Sequence, residues 1–261
     1  MKKLVVNADD FGFTRDVNRG IVEAHRNGIL TATTLMATGA AFDDAVRLSR
    51  EYPLLDVGCH LVLVGDPPFP RTVGQLTKAI GLGRIRIYEE MATQVKRILD
   101  AGIVPTHLDT HKHTHLLPPV LEAVAKISEH FKIRWVRRPF DMPAVYAGVP
   151  VVKRLTAKGM AGMHGHFSRV LVRHGCRFTD YFSGFQITGR YDAAMLASLI
   201  RSLPEGSTEF MCHPGVCTEE LRNATTRLRE SREQELQALT STEVRTAIRE
   251  AGVELARYRD L

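Results

Sequence analysis

Two textures alternate along the chain. Short apolar or β-branched runs are each followed by longer stretches whose apolar residues recur at helical spacing. Leu4-Val5-Val6 opens a first strand, and Val17, Ile21 and Ala24 then share one helical face that Gly28 can stop. Thr33 to Thr38 reads as a second strand, and Phe42, Ala45, Val46 and Ser49 as a helix ending before Pro53. Asp56 to Val64 is a third strand, followed by a Pro- and Gly-rich loop at 65–83. Met91, Val95, Ile98 and Leu99 mark a helix closed by Gly102. A fourth strand starts in "THLDTHKHTHLLPP" (106–119), whose prolines cannot extend a strand but suit the first turn of a helix. Val120, Val124 and Ile127 continue that helix, and Ile133 to Val136 is another strand. Gly159, Gly162 and Gly165 break the pattern, so about 140–190 reads as a helix-and-loop insertion. Leu196, Leu199, Ile200 and Leu203 form a clear helical face. "TEFMCH" (208–213) is a late strand closed by Pro214-Gly215, with two terminal helices and a short strand near Val253 after it.

Alternation of strand and helix predicts a parallel sheet covered by helices. The expected fold is α/β, a single distorted (β/α) TIM-like barrel spanning residues 1–261. That length is typical of such a barrel. An open doubly wound sheet is the second choice.

Polar chemistry collects at the ends of these apolar runs. The first strand leads into Asp9-Asp10, the third carries His60, the fourth carries Asp109, His111 and His113, and the late strand ends in His213. In a parallel α/β fold the carboxyl ends of strands converge on one face. Each residue alone has an ordinary explanation: a hydrogen-bonded core histidine, a turn aspartate, a loop histidine. Four such groups at matching positions are expensive to bury unless something compensates them, and a shared divalent metal would. In an extended strand His107, Asp109, His111, His113 and His115 would share one side, with His107 and His111 about 13 Å apart. One ion therefore takes one or two of the row. Asp9, beside Asp10, can serve as a base and His213 as an acid, the pair that metal-assisted hydrolysis needs. Neighbours in a strand point opposite ways, so Asp9 and Asp10 share a site only where the backbone turns.

Composition narrows the class. The net charge is +6, and the Arg-rich stretch from Arg222 to Arg232 is interleaved with Glu230 and followed by Glu233 and Glu235. It reads as a solvated, ion-paired helix, and no nucleic-acid partner is expected. Cys59, Cys176, Cys212 and Cys217 form no C-x-x-C pair and read as free thiols in a reducing cytoplasm. Leu4-Val5-Val6 is too short for a leader, and no apolar run is long enough for a membrane span. A cytoplasmic homo-oligomer is the expectation.

"VNADDFG" (6–12), "VGCHLVL" (57–63), "PTHLDTHKHTHLLP" (105–118) and "FMCHPG" (210–215) together resemble the YdjC-like carbohydrate deacetylases, which include the chitooligosaccharide deacetylases. "NRGIVEAHRNGILTATTLMATG" (18–39) and the closing "YRDL" fit as well. The resemblance implies a distorted barrel, one divalent metal ion (Mg²⁺ or Zn²⁺), and hydrolysis of an acetyl group from an N-acetylated sugar. By position it implies Asp10, His60 and His111 as metal ligands, Asp9 as base and His213 as acid, with a metal-activated water. Apart from the resemblance, Asp109 and His113 are candidates to orient His111 or touch sugar, and Arg137 and Arg138, which follow a predicted strand, are candidates for substrate contact or for the surface. Trp135 is a sugar-stacking candidate, although a lone Trp in an apolar run is more often core. The alternatives are a metal-dependent hydrolase of phosphate esters or cyclic amides, and a non-catalytic metal- or sugar-binding protein.

Overall fold

The computed structural model describes residues 1–142 and 150–261. Its centre is β1 (Lys2–Phe11), flanked by β2 (Ala32–Leu35), β3 (Asp56–Leu61), β4 (His107–Thr110) and β5 (Trp135–Val136) on one side. On the other side lie β7 (Gly206–Cys212) and β6 (Tyr181–Ser183), while β8 (Val253–Leu255) pairs with the start of β1. Every pairing is parallel. The sheet curls until its edges meet. Isolated bridges join Trp135 to Arg177 and Asp141 to Phe182, so the architecture is a distorted (β/α) barrel rather than an open sheet.

Helices α1 (Arg15–Asn27), α2 (Phe42–Glu51), α3 (Val73–Gly81), α4 (Ile87–Asp100) and α5 (Pro118–Phe131) follow the early strands. The apolar stripe read on α1 is its buried face: Val17, Ile21 and Ala24 have no exposed surface. Thr14 caps α1 by accepting from the Val17 N–H at 3.2 Å. Pro118 and Pro119 fill the first turn of α5, where a missing N–H costs nothing. Gly20, inside α1, packs directly on Gly215: a Cβ built at Gly20 would lie 2.3 Å from the Gly215 Cα. That approach presses α1 against the loop that follows His213.

Some expectations need correction. The 65–83 stretch contains α3, whose Thr72 cap accepts from the Gln75 N–H. Three helices follow β7: the short α9 (Glu219–Asn223), then α10 (Glu230–Thr240) and α11 (Thr242–Glu250). Between β5 and β7 lie α6 (Val151–Ala161), α7 (His164–Arg173), β6 and α8 (Ala193–Arg201). Of the 140–190 stretch, residues 143–149 lie outside the described residues. Among the described residues no helix is long and apolar enough to cross a membrane.

Candidate active site

Register places the polar groups. β1 and β7 pair with Ala8 opposite Cys212, which sets Asp9 beside His213 at the carboxyl end. β3 and β4 pair with His60 opposite Asp109. Asp9 and Asp10 reach the same pocket because the turn falls on Asp10 itself. Its φ is 71°, and the register with β2 shifts between Ala8 and Phe11. A bulge of this kind re-aims a side chain, and left-handed backbone at a non-glycine residue costs on the order of 1–2 kcal/mol. Four such residues occur among those described: Asp10, Lys112 and His113, the last two in the turn that follows His111, and Lys132. Stored strain of this kind clusters at functional sites.

The histidine row is not one strand face. β4 stops at Thr110, and His111–Leu116 forms a tight turn in which Lys112 and His113 are left-handed. Thr110 Oγ1 accepts from the His115 N–H at 3.1 Å and stabilises that turn. Each member does separate work. His107 Nε2 meets Asn7 Oδ1 at 2.9 Å, its ring stacked on Tyr258. Gly58 leaves room for that ring, since a Cβ there would lie 2.6 Å from it. Asp109, expected beside His111, instead meets His60 Nδ1 at 2.6 Å. His111 enters the site. His113 is buried beside Phe182 and Phe185, its Nδ1 unpartnered. His115 Nε2 donates to the Arg137 carbonyl at 3.2 Å.

Asp10 Oδ1 lies 3.3 Å from His60 Nε2 and 3.2 Å from His111 Nδ1, and the two imidazole nitrogens are 3.2 Å apart. One donor atom from each of the three residues falls within 4.8 Å of the others. Asp10 Oδ1 is buried without a hydrogen-bond partner of good geometry. These residues fit a divalent cation. Burial disfavours the His60 imidazolium, but the Asp109 charge, the contact to Asp109 and the nearby Asp10 carboxylate outweigh it and push His60 up to about 10. Asp109 on Nδ1 fixes the tautomer and aims Nε2, as outer partners of metal-binding histidines do. Thr34 Oγ1 donates to the other Asp109 oxygen at 3.0 Å.

Arg137, a candidate substrate contact, is wholly buried. Two nitrogens take the two oxygens of Asp9 at 2.7 and 2.8 Å, while Asp109 and Glu209 lie at 2.7 and 2.6 Å. Burial would raise the Asp9 pKa, but Arg137 wins and holds that carboxyl below the usual carboxylate range. Asp9, His60 and Asp109 also offer atoms within 4.8 Å, but Arg137 already supplies the positive charge on both of those carboxylates. One cation, not two, suits this arrangement. His213 Nε2 lies 3.8 Å from Asp9 Oδ2, and burial pushes His213 below the ordinary histidine value. Trp135 lies elsewhere, in a cavity of about 500 Å³ with Met1, Lys3 and Leu261 at the amino-terminal end of the sheet.

Sequence reasoning missed Asn7, Thr34, Glu209, Arg232 and Glu235. Glu209 was findable: a lone carboxylate inside an apolar strand run is costly unless paired. Arg232 and Glu235 depart from the solvated reading of their stretch, in which Arg222, Arg229 and Glu230 are exposed as expected. Each is 1% exposed, and Arg232 reaches Asp10 Oδ2 at 2.5 Å.

Burial, joined by Arg137, keeps His107, His113 and His115 neutral, with His115 lowered to about 3. In the unfolded chain these residues regain a pKa of ~6.5. Unfolding therefore takes up protons below that value, and stability falls as pH drops toward 3. Each such histidine contributes a slope of about 1.4 kcal/mol per pH unit. His60 acts in the opposite window: its contribution is complete below ~6.5 and is lost as pH rises toward 10. Urea unfolding between pH 7 and 4 should show a shallower slope, by about one proton, in His115→Gln. An unchanged slope would contradict a neutral His115.

The fold and site define a parallel (β/α) barrel in which an aspartate and two imidazoles, beside an arginine-clamped aspartate, could hold a cation. A model of the YdjC-like protein family matches residues 3–250, and the chain belongs to that family. A carbohydrate deacetylase from Brevibacillus brevis is 31% identical over 276 aligned positions, covering 99% of each chain. Another from Clostridium beijerinckii is 30% identical over 273 positions, covering 99% of this chain and 100% of its own. The crystal structure of an Enterococcus faecalis protein with a proposed role in cellobiose-phosphate cleavage superposes with a TM-score of 0.75. It is 26% identical, over 99% of this chain and 98% of that one.

Proposed function

We propose that this chain is a metal-dependent deacetylase that hydrolyses the acetamido group of an N-acetylated sugar. One observation carries the metal part: Asp10, His60 and His111 converge, with a buried Asp10 oxygen facing one nitrogen of each imidazole. Relatives named carbohydrate deacetylase, aligned over nearly the whole chain, support the acetyl-sugar part. One carboxylate and two imidazoles suit Zn²⁺ better than Mg²⁺, which prefers oxygen ligands.

A divalent ion held there would polarise the amide carbonyl and lower the pKa of a water. Asp9 accepts the proton of the attacking water. Arg137 keeps Asp9 ionised and ready at neutral pH, but it also makes Asp9 a weak base that readily gives the proton up. His213 Nε2, 3.8 Å away, is the natural next holder. Burial makes protonated His213 a stronger acid, suited to delivering that proton to the departing nitrogen as the C–N bond breaks. Water's hydroxyl ends on the acetyl carbon, and acetate and an amino sugar leave.

Acetate release should be assayed over N-acetylated mono- and oligosaccharides, using chelator-stripped protein with Zn²⁺ or Mg²⁺ returned. We expect release from at least one sugar, abolished by stripping and restored by a metal. Equal activity with and without metal would refute the reading, as would silence on every acetylated sugar.

A further inference from the structure

We infer that α10 is the positioning element of this site, with Arg232 orienting Asp10 and Glu235 fixing the backbone at His213. The inference rests on the cation-site reading above, and it concerns two residues three apart on one face of one helix.

Arg232 reaches Asp10 Oδ2 at 2.5 Å, and its Nε donates to the Leu228 carbonyl at 3.2 Å. Its own carbonyl accepts from the Gly215 N–H at 3.2 Å, and its stem packs against Gly215. Glu235 accepts from the His213 N–H at 2.5 Å, the Gly189 N–H at 2.6 Å and the Tyr191 hydroxyl at 3.1 Å. One helix thus grips a proposed metal ligand and the backbone of the proposed acid.

Anchoring alone does not account for these residues. An apolar pair of similar volume would hold the helix without the desolvation cost of two buried charges. α10 already buries Ala238 and Leu239 for that purpose. What the charges add is direction. A carboxylate rotates about its terminal torsion, and Asp10 sits on a strained backbone. With Oδ2 taken by Arg232, Oδ1 is left facing both imidazoles, so the ligand is oriented before a cation arrives. The guanidinium would also repel a cation. Asp10's own charge offsets much of that repulsion, and orientation is expected to dominate.

Calorimetric titration of Zn²⁺ into stripped protein tests this, alongside thermal melting and the kcat and KM of acetate release. Arg232→Met should weaken Zn²⁺ binding roughly 10–100-fold, with partial recovery in Arg232→Lys. Glu235→Gln should bind Zn²⁺ as wild type does but show a lower kcat. A folded Arg232→Met that binds Zn²⁺ as tightly as wild type, or more tightly, overturns the inference. So does wild-type kcat in Glu235→Gln. If Arg232→Met does not fold, Arg232→Lys must still bind more weakly than wild type, because it keeps the charge and loses the planar fork. A wild-type protein that binds neither Zn²⁺ nor Mg²⁺ would instead end the reading of the site itself, and this inference with it.

Discussion

Asp9→Asn should lower turnover by about 10²–10⁴ while leaving metal stoichiometry and affinity unchanged. Asp9 is not among the three residues that converge on the cation site, so its loss should spare binding. The amide cannot accept a water proton, so the step assigned to Asp9 has no acceptor. The fold should survive, because Arg137 keeps Asp109 and Glu209 as partners after the Asp9 charge is gone. The checks are kcat for acetate release and calorimetric Zn²⁺ binding on the same preparation. Turnover within a few-fold of wild type would remove Asp9 from the chemistry. Lost Zn²⁺ binding would make it a ligand instead.

Arg137→Leu should do its damage before chemistry begins. The guanidinium has no exposed side-chain surface and faces Asp9, Asp109 and Glu209, all within 2.8 Å. Removing one partner of a buried ion pair typically costs about 3–5 kcal/mol, and here one deletion takes the guanidinium from three carboxylates, of which Asp109 keeps His60 and Thr34 as partners. Glu209 is already raised by burial and would be the first to take up a proton, which limits the loss. A domain holds only about 5–15 kcal/mol in total, so a fall in Tm on the order of 10 °C or outright failure to fold is expected. Urea unfolding and thermal melting of the stripped protein would measure it. A melting curve that overlays wild type would mean these carboxylates do not depend on Arg137 for their charge balance.

Much of the candidate site's clustering was legible because parallel topology turns strand ends into neighbours. Asp9, Asp10, His60 and His213 stood at the ends of apolar runs, and the described structure gathers all four with His111 at one end of the sheet. Choosing His111 from its row needed the family resemblance. Strand periodicity extended past Thr110, where the backbone turns left-handed at Lys112 and His113, and no spacing argument contains that turn. Arg232 was invisible for a different reason. A charge-rich helix looks solvated in sequence, and a single arginine pointing inward leaves the average polarity of its neighbourhood unchanged.

The sequence by itself determined which residues could do chemistry and the order in which strands would carry them, because hydrophobic periodicity is local and survives in one dimension. Only the tertiary structure decided which partner each charge would meet. Arg137 on Asp9, Asp109 on His60 and Arg232 on Asp10 join residues 128, 49 and 222 positions apart. Such pairings follow from strand register and sheet curl, and electrostatic energy depends on distance through space rather than along the chain.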